Sequence, residues 1–224
     1  MRDADLSTKT HDEMIKESKK LLEYMGIPSI QALSEGEAQC AFMCKNGTVD
    51  FAGSQDFDSL LFGSPYLVKN LSITGKRKLP RKEVYIEIKP EIIELETTLS
   101  ELGISHKQLI AIGILIGTDY SEGIKGVGPK TALKLIKEHE NLGEVLKKVD
   151  WESDVKAEDI FDFFLNPPVT NDYKIEWNEP NKEKIIDFMV GDHDFSTERI
   201  EKVIEKLQQS FTAGRQASLK GWFK

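Results

Sequence analysis

The chain has two cysteines in 224 residues, Cys40 and Cys44, and no His/Cys cluster follows them to complete a zinc site. They are expected as two small buried residues on one helical face. Long hydrophobic runs are also missing. The longest, Leu109 to Gly117, has nine residues, about half of the roughly 20 that a membrane-spanning helix needs. The first residues, Met1-Arg2-Asp3-Ala4-Asp5, alternate charge without an apolar run, which excludes a secretory signal and leads us to expect an intracellular, cytoplasmic protein with no membrane partner. Nor is there an excess of positive charge. Thirty basic against 38 acidic residues give a net charge of -8, unlike a protein that coats nucleic acid or anionic membrane indiscriminately. No internal repeat with a period of 20 to 50 residues is visible, which argues against a solenoid. What remains, 39% apolar and 30% charged residues with a mean hydropathy of -0.37, is the composition of a folded protein with one large domain or one domain and an appendage.

Local charge departs from the acidic whole. Lys76, Arg77, Lys78, Arg81 and Lys82 fall within seven positions, and Lys125, Lys130, Lys134 and Lys137 within thirteen. Basic islands on an acidic protein point to a located phosphate contact, although a solvated loop is the commoner explanation of any one of them.

Periodicity predicts helices over residues 12–25, 35–45, 92–102, 106–118, 131–139 and 200–211. Val49 to Ser54, Tyr66 to Ile73 and Glu83 to Ile88 are strand candidates. Helix and strand alternate over the first 90 residues, so this part is expected to be α/β with a mostly parallel sheet, and no strand is expected beyond about residue 90.

Five carboxylates draw attention. Asp56 and Asp58 follow a strand candidate, and residues two apart on an extended chain face one side. Ligands of open α/β sheets bind beyond the carboxyl ends of strands. An isolated Asp-x-Asp is also ordinary turn chemistry. Glu35 and Glu37 stand at a helix start, where both can converge, or where they can simply complement the helix dipole for about 0.3–1 kcal/mol. Asp119 closes the most apolar helix, where an anion is disfavoured and a positive partner is expected. Brought together, the five would repel and raise one another's pKa unless a cation neutralised them, and all-oxygen ligands favour Mg²⁺ or Mn²⁺. Two such ions can align an attacking water with a phosphodiester leaving group.

The segment Gly123-Ile124-Lys125-Gly126-Val127-Gly128-Pro129-Lys130 connects two helices. Its glycines permit close approach of backbone, and its N–H groups, helix N-terminus and lysines suit a phosphate without reading sequence. The spacing is not that of a Walker A loop. At the end of the chain, Leu219, Trp222 and Phe223 expose apolar surface that one helical turn would group as an anchor for a partner.

Taken in order, Glu35-Gly36-Glu37-Ala38, Asp56-Phe57-Asp58 with Leu61-Phe62-Gly63-Ser64-Pro65, Gly117-Thr118-Asp119-Tyr120 leading into Gly126-Val127-Gly128-Pro129-Lys130, Trp177-Asn178-Glu179-Pro180-Asn181 and the tail from Gln216 to Phe223 resemble the flap endonucleases, structure-specific 5′ nucleases of DNA replication and repair, in their archaeal form. The resemblance implies the C-terminal part of a PIN-like nuclease core over 1–105, with the end of the arch region at its start. It further implies a helical DNA-binding region over 106–212 with a helix-two-turn-helix at 106–140, and a sliding-clamp binding tail over 213–224. Glu35, Glu37, Asp56, Asp58 and Asp119 would be the metal carboxylates of a two-Mg²⁺ hydrolase. Glu35, Gly117, Asp119, Lys125, Gly126, Gly128 and Lys130 would face branched duplex DNA carrying a 5′ flap. Carbonyls of Gly123, Ile124 and Val127 would hold a monovalent cation such as K⁺, and Gln216, Leu219, Trp222 and Phe223 would dock on the clamp.

The family begins with roughly a hundred further residues that carry the first strand, two more metal-binding aspartates, the wedge and most of the arch. The chain is therefore expected to be a fragment or one half of a split enzyme, inactive without that part. An open sheet edge would make it aggregate, dimerise or pair with the missing half. The alternative is a catalytically silent module that binds junction DNA and recruits the clamp.

Overall fold

The computed structural model of the chain describes residues 12–72, 75–78 and 85–212. The tail residues Gln216, Leu219, Trp222 and Phe223, and Arg81 and Lys82 of the first basic island, lie outside the described residues.

Two compact units divide the chain: Ala32–Asn171, and the two chain ends up to Gln31 and from Asp172. Along the chain the elements are α1 Asp12–Tyr24, α2 Gly36–Lys45, β1 Ala52–Gly53, α3 Asp58–Leu61, β2 Tyr66–Lys69, β3 Gly75–Lys78, β4 Tyr85–Ile88, β5 Glu91–Glu94, α4 Leu95–Leu102, α5 His106–Ile116, α6 Pro129–His139, α7 Leu142–Leu146, α8 Ala157–Leu165, α9 Lys182–Ile186, a π-helical turn Asp187–Asp192, and α10 Thr197–Thr212.

The α/β class holds, with a small sheet and many helices. Its pairing corrects the mostly parallel expectation. In the sheet ordered β1-β2-β5, β1 pairs with β2 in parallel but β2 pairs with β5 antiparallel, and β3 and β4 form a separate two-stranded antiparallel sheet. A parallel return needs a crossover, usually a helix. The excursion from β2 to β5 is instead the β3–β4 hairpin, so the chain comes back in the opposite direction. The strand β5 also stands where a helix from Ile92 was expected: Ile92 and Ile93 pair with Val68 and Leu67, and the helix begins only at Leu95. Tertiary pairing overrides helical spacing in so short a run.

The core of the larger unit joins Ala38 and Ala41 of α2, Leu61 and Phe62 at α3, Ile110, Ile114 and Leu115 of α5, Ala132 and Ile136 of α6, and Ile160 and Phe164 of α8. The compact units do not divide at 105/106, because α5 packs against α3 as well as α6 and α8 within one unit. No single helix among the described residues is long and apolar enough to cross a membrane. Cys44 is buried and its thiol lies 3.5 Å from the Asp50 carbonyl, but Cys40 is exposed. Residues four apart are turned by about 40° on a helix, enough to carry Cys40 past the margin of the buried face.

In the smaller unit, Ile185, Ile200 and Ile204 are buried with Tyr24 and Met25 packed against them. The chain ends are joined by backbone bonds from Asn178 N–H to the Gly26 carbonyl, 2.9 Å, and from Asn181 N–H to the Tyr24 carbonyl, 2.8 Å.

Candidate metal and nucleic-acid site

All five predicted carboxylates belong to the larger unit. Glu35 is the N-cap residue of α2, extended at φ -75° and ψ 133°, and Glu37 lies in its first turn. The helix entrance thus lets residues two apart leave the backbone differently, as the sequence allowed. Asp56 sits in the turn after β1, where its N–H donates to Ser54 Oγ at 3.0 Å, and the same hydroxyl donates to Glu37 Oε1. Ser54 therefore links the β1 turn to α2. Asp58 begins α3, so the Asp-x-Asp pair straddles a turn and a helix start rather than one extended strand.

Asp119 does not close α5. The helix stops at Ile116 with Gly117 as C-cap, and Asp119 lies two residues further, in a turn closed by Thr118 N–H to the Ser121 carbonyl, 2.8 Å, and Ser121 N–H to the Thr118 carbonyl, 3.1 Å. Beyond the last helical turn the unfavourable dipole falls away, so the helix itself sets no demand for a positive partner there.

One group records that the five share a field. Asp58 has its pKa raised from 3.8 to about 6, first by burial and then by the charges of Glu37, Asp119, Asp56 and Glu35. Tyr120 adds a bond across the site, donating to Glu35 Oε1 at 2.7 Å. Its pKa is raised by burial and by that bond to Glu35. The Tyr120 ring packs edge-on against Phe163 and Phe164 of α8, at 5.1 and 5.8 Å between centroids, so the aromatic core fixes the hydroxyl that holds Glu35. Tyr120 belongs to the Gly117-Thr118-Asp119-Tyr120 segment without a role being read for it, and Ser54 carries no signal of its own.

The donor set is hard oxygen throughout and its charges are uncompensated at Asp58, the chemistry that Mg²⁺ or Mn²⁺ satisfies. Among the described residues, however, no three His, Cys, Asp or Glu side chains are grouped to hold one metal ion. The carboxylates converge in potential without closing a coordination shell.

The glycine segment forms the connection from α5 to α6. Ile124 N–H donates to the Leu115 carbonyl and Val127 N–H to the Ile124 carbonyl, both at 2.9 Å. Gly123, at φ +69°, lies so close to α5 that an added Cβ would meet the Ile116 carbonyl carbon at 2.5 Å. Only glycine satisfies both the dihedral and the approach. Gly128 is the N-cap of α6 without a side-chain cap bond, and Pro129 opens the helix. First-turn N–H groups are thus left for another acceptor. Lys125, Gly126 and Lys130 are exposed around that end. Lys134 of the second basic island pairs with Glu138 at 3.7 Å on the helix surface.

Comparison with known proteins supplies a family. Residues 26–119 match the family model described as XPG I-region, a span that includes all five carboxylates. The flap endonuclease 1 of Hyperthermus butylicus is 51% identical over 228 residues, covering 100% of this chain and 65% of that protein. Among solved structures, the flap endonuclease-1 from Methanococcus jannaschii superposes with a TM-score of 0.79 at 37% identity, covering 93% of this chain and 62% of the other. The catalytic core of Rad2 in complex with DNA substrate gives 0.70 at 26% identity, covering 88% and 68%. The chain spans less than two thirds of the length of the curated relatives it matches. Over that span, its sequence and fold are similar to those of the flap endonucleases.

Proposed function

We propose that the chain is the part of a structure-specific 5′ flap endonuclease and 5′-3′ exonuclease that carries most of the metal carboxylates and the grip on duplex DNA. The observation that carries this reading is the joining of the carboxylates at one place, Ser54 bonding Glu37 and the Asp56 N–H and Tyr120 bonding Glu35, with Asp58 pushed up to about 6 by burial and the charges of the other four. A site built this way has negative charge in excess of what its own side chains balance, and it lies within a segment related to DNA-cleaving enzymes.

Glu35, Glu37, Asp56, Asp58 and Asp119 would hold the divalent ions, two per complete site, with further ligands supplied by the portion of the family that this chain does not span. The chemistry such ions would supply, when held by these carboxylates, is activation of water at neutral pH and neutralisation of charge on the leaving oxygen. The protein's own groups then have distinct tasks. Tyr120 holds one oxygen of Glu35, and Ser54 ties Glu37 to the Asp56 turn. Gly117, Gly126, Gly128, Lys125 and Lys130 contact phosphates of the duplex without reading bases, with Glu35 and Asp119 at the boundary of the DNA surface. This keeps 106–212 as the DNA-binding region, with its helix-two-turn-helix at 106–140, as a functional division alongside a nuclease-core part over 1–105. Carbonyls of Gly123, Ile124 and Val127 are the donors for a K⁺ ion, with Ile124 using its second lone pair since the first accepts from Val127. Residues 213–224 bind a sliding clamp through Gln216, Leu219, Trp222 and Phe223. Such an enzyme works inside the cell, at the nucleoid.

The separating experiment is Asp58→Ala in the enzyme completed with an N-terminal segment. Cleavage of a 5′-flap duplex is lost while DNA affinity stays within a few-fold. Full-rate cleavage by the variant would sink the metal assignment. A second reading, a silent junction-binding module, is favoured by the lack of any three-carboxylate group among the described residues; it expects DNA binding without cleavage under every condition.

A further inference from the structure

The helix that carries Asp58 has four residues, Asp58–Leu61, too short to be stable by its own hydrogen bonds. Every helix leaves its last four carbonyls without an internal partner. Here Asp58, Ser59 and Leu60 carbonyls accept from Phe62, Ser64 and Gly63 N–H at 2.8, 2.8 and 2.9 Å. The two carbonyls that follow depend on side chains from elsewhere. His106 Nε2 lies 2.9 Å from the Leu61 carbonyl and 3.1 Å from that of Leu60, and Lys45 Nζ donates to the Phe62 carbonyl at 2.8 Å. Both His106 contacts are carbonyl oxygens, so Nε2 carries the hydrogen.

The placement of these two donors is unusual for simple packing. Lys45 is the last residue of α2, whose opposite end bears Glu35 and Glu37. His106 is the first residue of α5, whose opposite end leads to Asp119. Each of the three helices α2, α3 and α5 therefore has a carboxylate at or near one end and the common brace at the other. Gly63 admits the crossing: at φ +79° an added Cβ would stand 2.6 Å from Lys45 Nζ and 3.0 Å from His106 Cε1. Leu61 packs so closely on α5 that a Cβ at Gly113 would meet its Cδ1 at 3.0 Å, which fixes α3 laterally.

We propose that Lys45 and His106 are positioning residues of the metal site, holding the Asp58 helix in register with the Glu37 and Asp119 elements by binding its C-terminal carbonyls. The proposal rests on the carboxylate reading above. Neither side chain contacts the five carboxylates in the bonds described, so their effect passes through the α3 backbone.

The test uses the full 224-residue chain, with Mn²⁺ affinity read by electron paramagnetic resonance and amide hydrogen exchange read at residues 60–64. His106→Leu removes the donor, His106→Gln restores an N–H near the position of Nε2, and Lys45→Met removes only the ammonium. His106→Leu and Lys45→Met are expected to weaken Mn²⁺ binding at least fivefold. Exchange at Phe62, Gly63 and Ser64 should quicken at least tenfold, while α6 amides and duplex-DNA affinity in EDTA stay within twofold. His106→Gln is expected to recover Mn²⁺ affinity to within twofold of the parent. Unchanged Mn²⁺ binding in His106→Leu, or faster exchange spread evenly through the larger unit, overturns the positioning role. If His106→Leu does not fold, Lys45→Met decides by the same readouts. A parent chain that binds no Mn²⁺ overturns the carboxylate reading and this proposal with it, whereas a binding parent with unaffected variants overturns this proposal alone.

Discussion

Replacing Asp58 with asparagine removes one charge from the site at nearly constant volume, and its effect on stability has a sign set by the field of the other carboxylates. The Asp58 pKa is raised from 3.8 to about 6 in the folded chain. Between those values the folded state binds more protons than the unfolded one, so stability falls as pH rises through the window. The penalty is absent below about pH 4 and complete above about pH 6. Taken whole, a rise of that size corresponds to about 3 kcal/mol against folding at neutral pH. Asp58 is only partly buried, and solvent screening reduces this to about 1–1.5 kcal/mol. Asp58→Asn is therefore expected to stabilise the metal-free chain by about 1–1.5 kcal/mol at pH 8 and by almost nothing at pH 4. Urea unfolding in EDTA at the two pH values reads this directly as a shift in midpoint at constant slope. Saturating Mg²⁺ should remove the advantage, because the parent then gains the stabilisation that the variant forgoes. An asparagine variant less stable than the parent at pH 8, or equally stabilised at both pH values, would refute the shared-field account of the site.

Other expectations concern the DNA face and the tail. Gly123→Ala drives a Cβ into the Ile116 carbonyl at positive φ and should cost about 2–4 kcal/mol, measured by urea unfolding; a loss under about 0.5 kcal/mol would mean that the turn relaxes freely. Replacing Lys125 and Lys130 together with Ala should weaken binding to any duplex sequence alike and reduce the salt dependence, seen as a slope of log affinity on log salt smaller by about 2. A sequence-dependent loss would contradict backbone-only contact. Trp222→Ala with Phe223→Ala should remove stimulation by the sliding clamp without altering clamp-free cleavage, and unchanged clamp binding would sink the role given to the tail.

The sequence was most legible where physics is local. Helix periodicity marks α2, α5, α6 and α10 to within a few residues, and the positive-φ requirement at Gly123 was implicit in a glycine-rich connector. Pairing partners were not legible. Nothing in the spacing of Ile92 and Ile93 announces that they add a strand to Val68 and Leu67, because register is a property of two segments at once. The short helices α3, α7 and α9 fall below the length at which an apolar period is distinguishable. At the site, residue types and order draw attention to the five carboxylates, and the structure adds the field they share at Asp58. The groups that orient them were hidden: Tyr120, Lys45 and His106 act by bonds spanning 85, 17 and 45–46 residues of chain. Asp119 lies past the end of α5 rather than closing it, because Gly117 ends the helix two residues sooner than the apolar run suggests.

The central claim, that this chain holds most but not all of a nuclease site, is tested most directly by cleavage of a labelled 5′-flap duplex in Mg²⁺, with the chain alone and after adding an N-terminal segment from a related flap endonuclease. The account predicts no product from the chain alone and specific incision at the flap base on mixing, lost again with Asp58→Ala. Binding of the duplex without incision in both conditions would contradict it and leave the junction-binding module as the function of this chain.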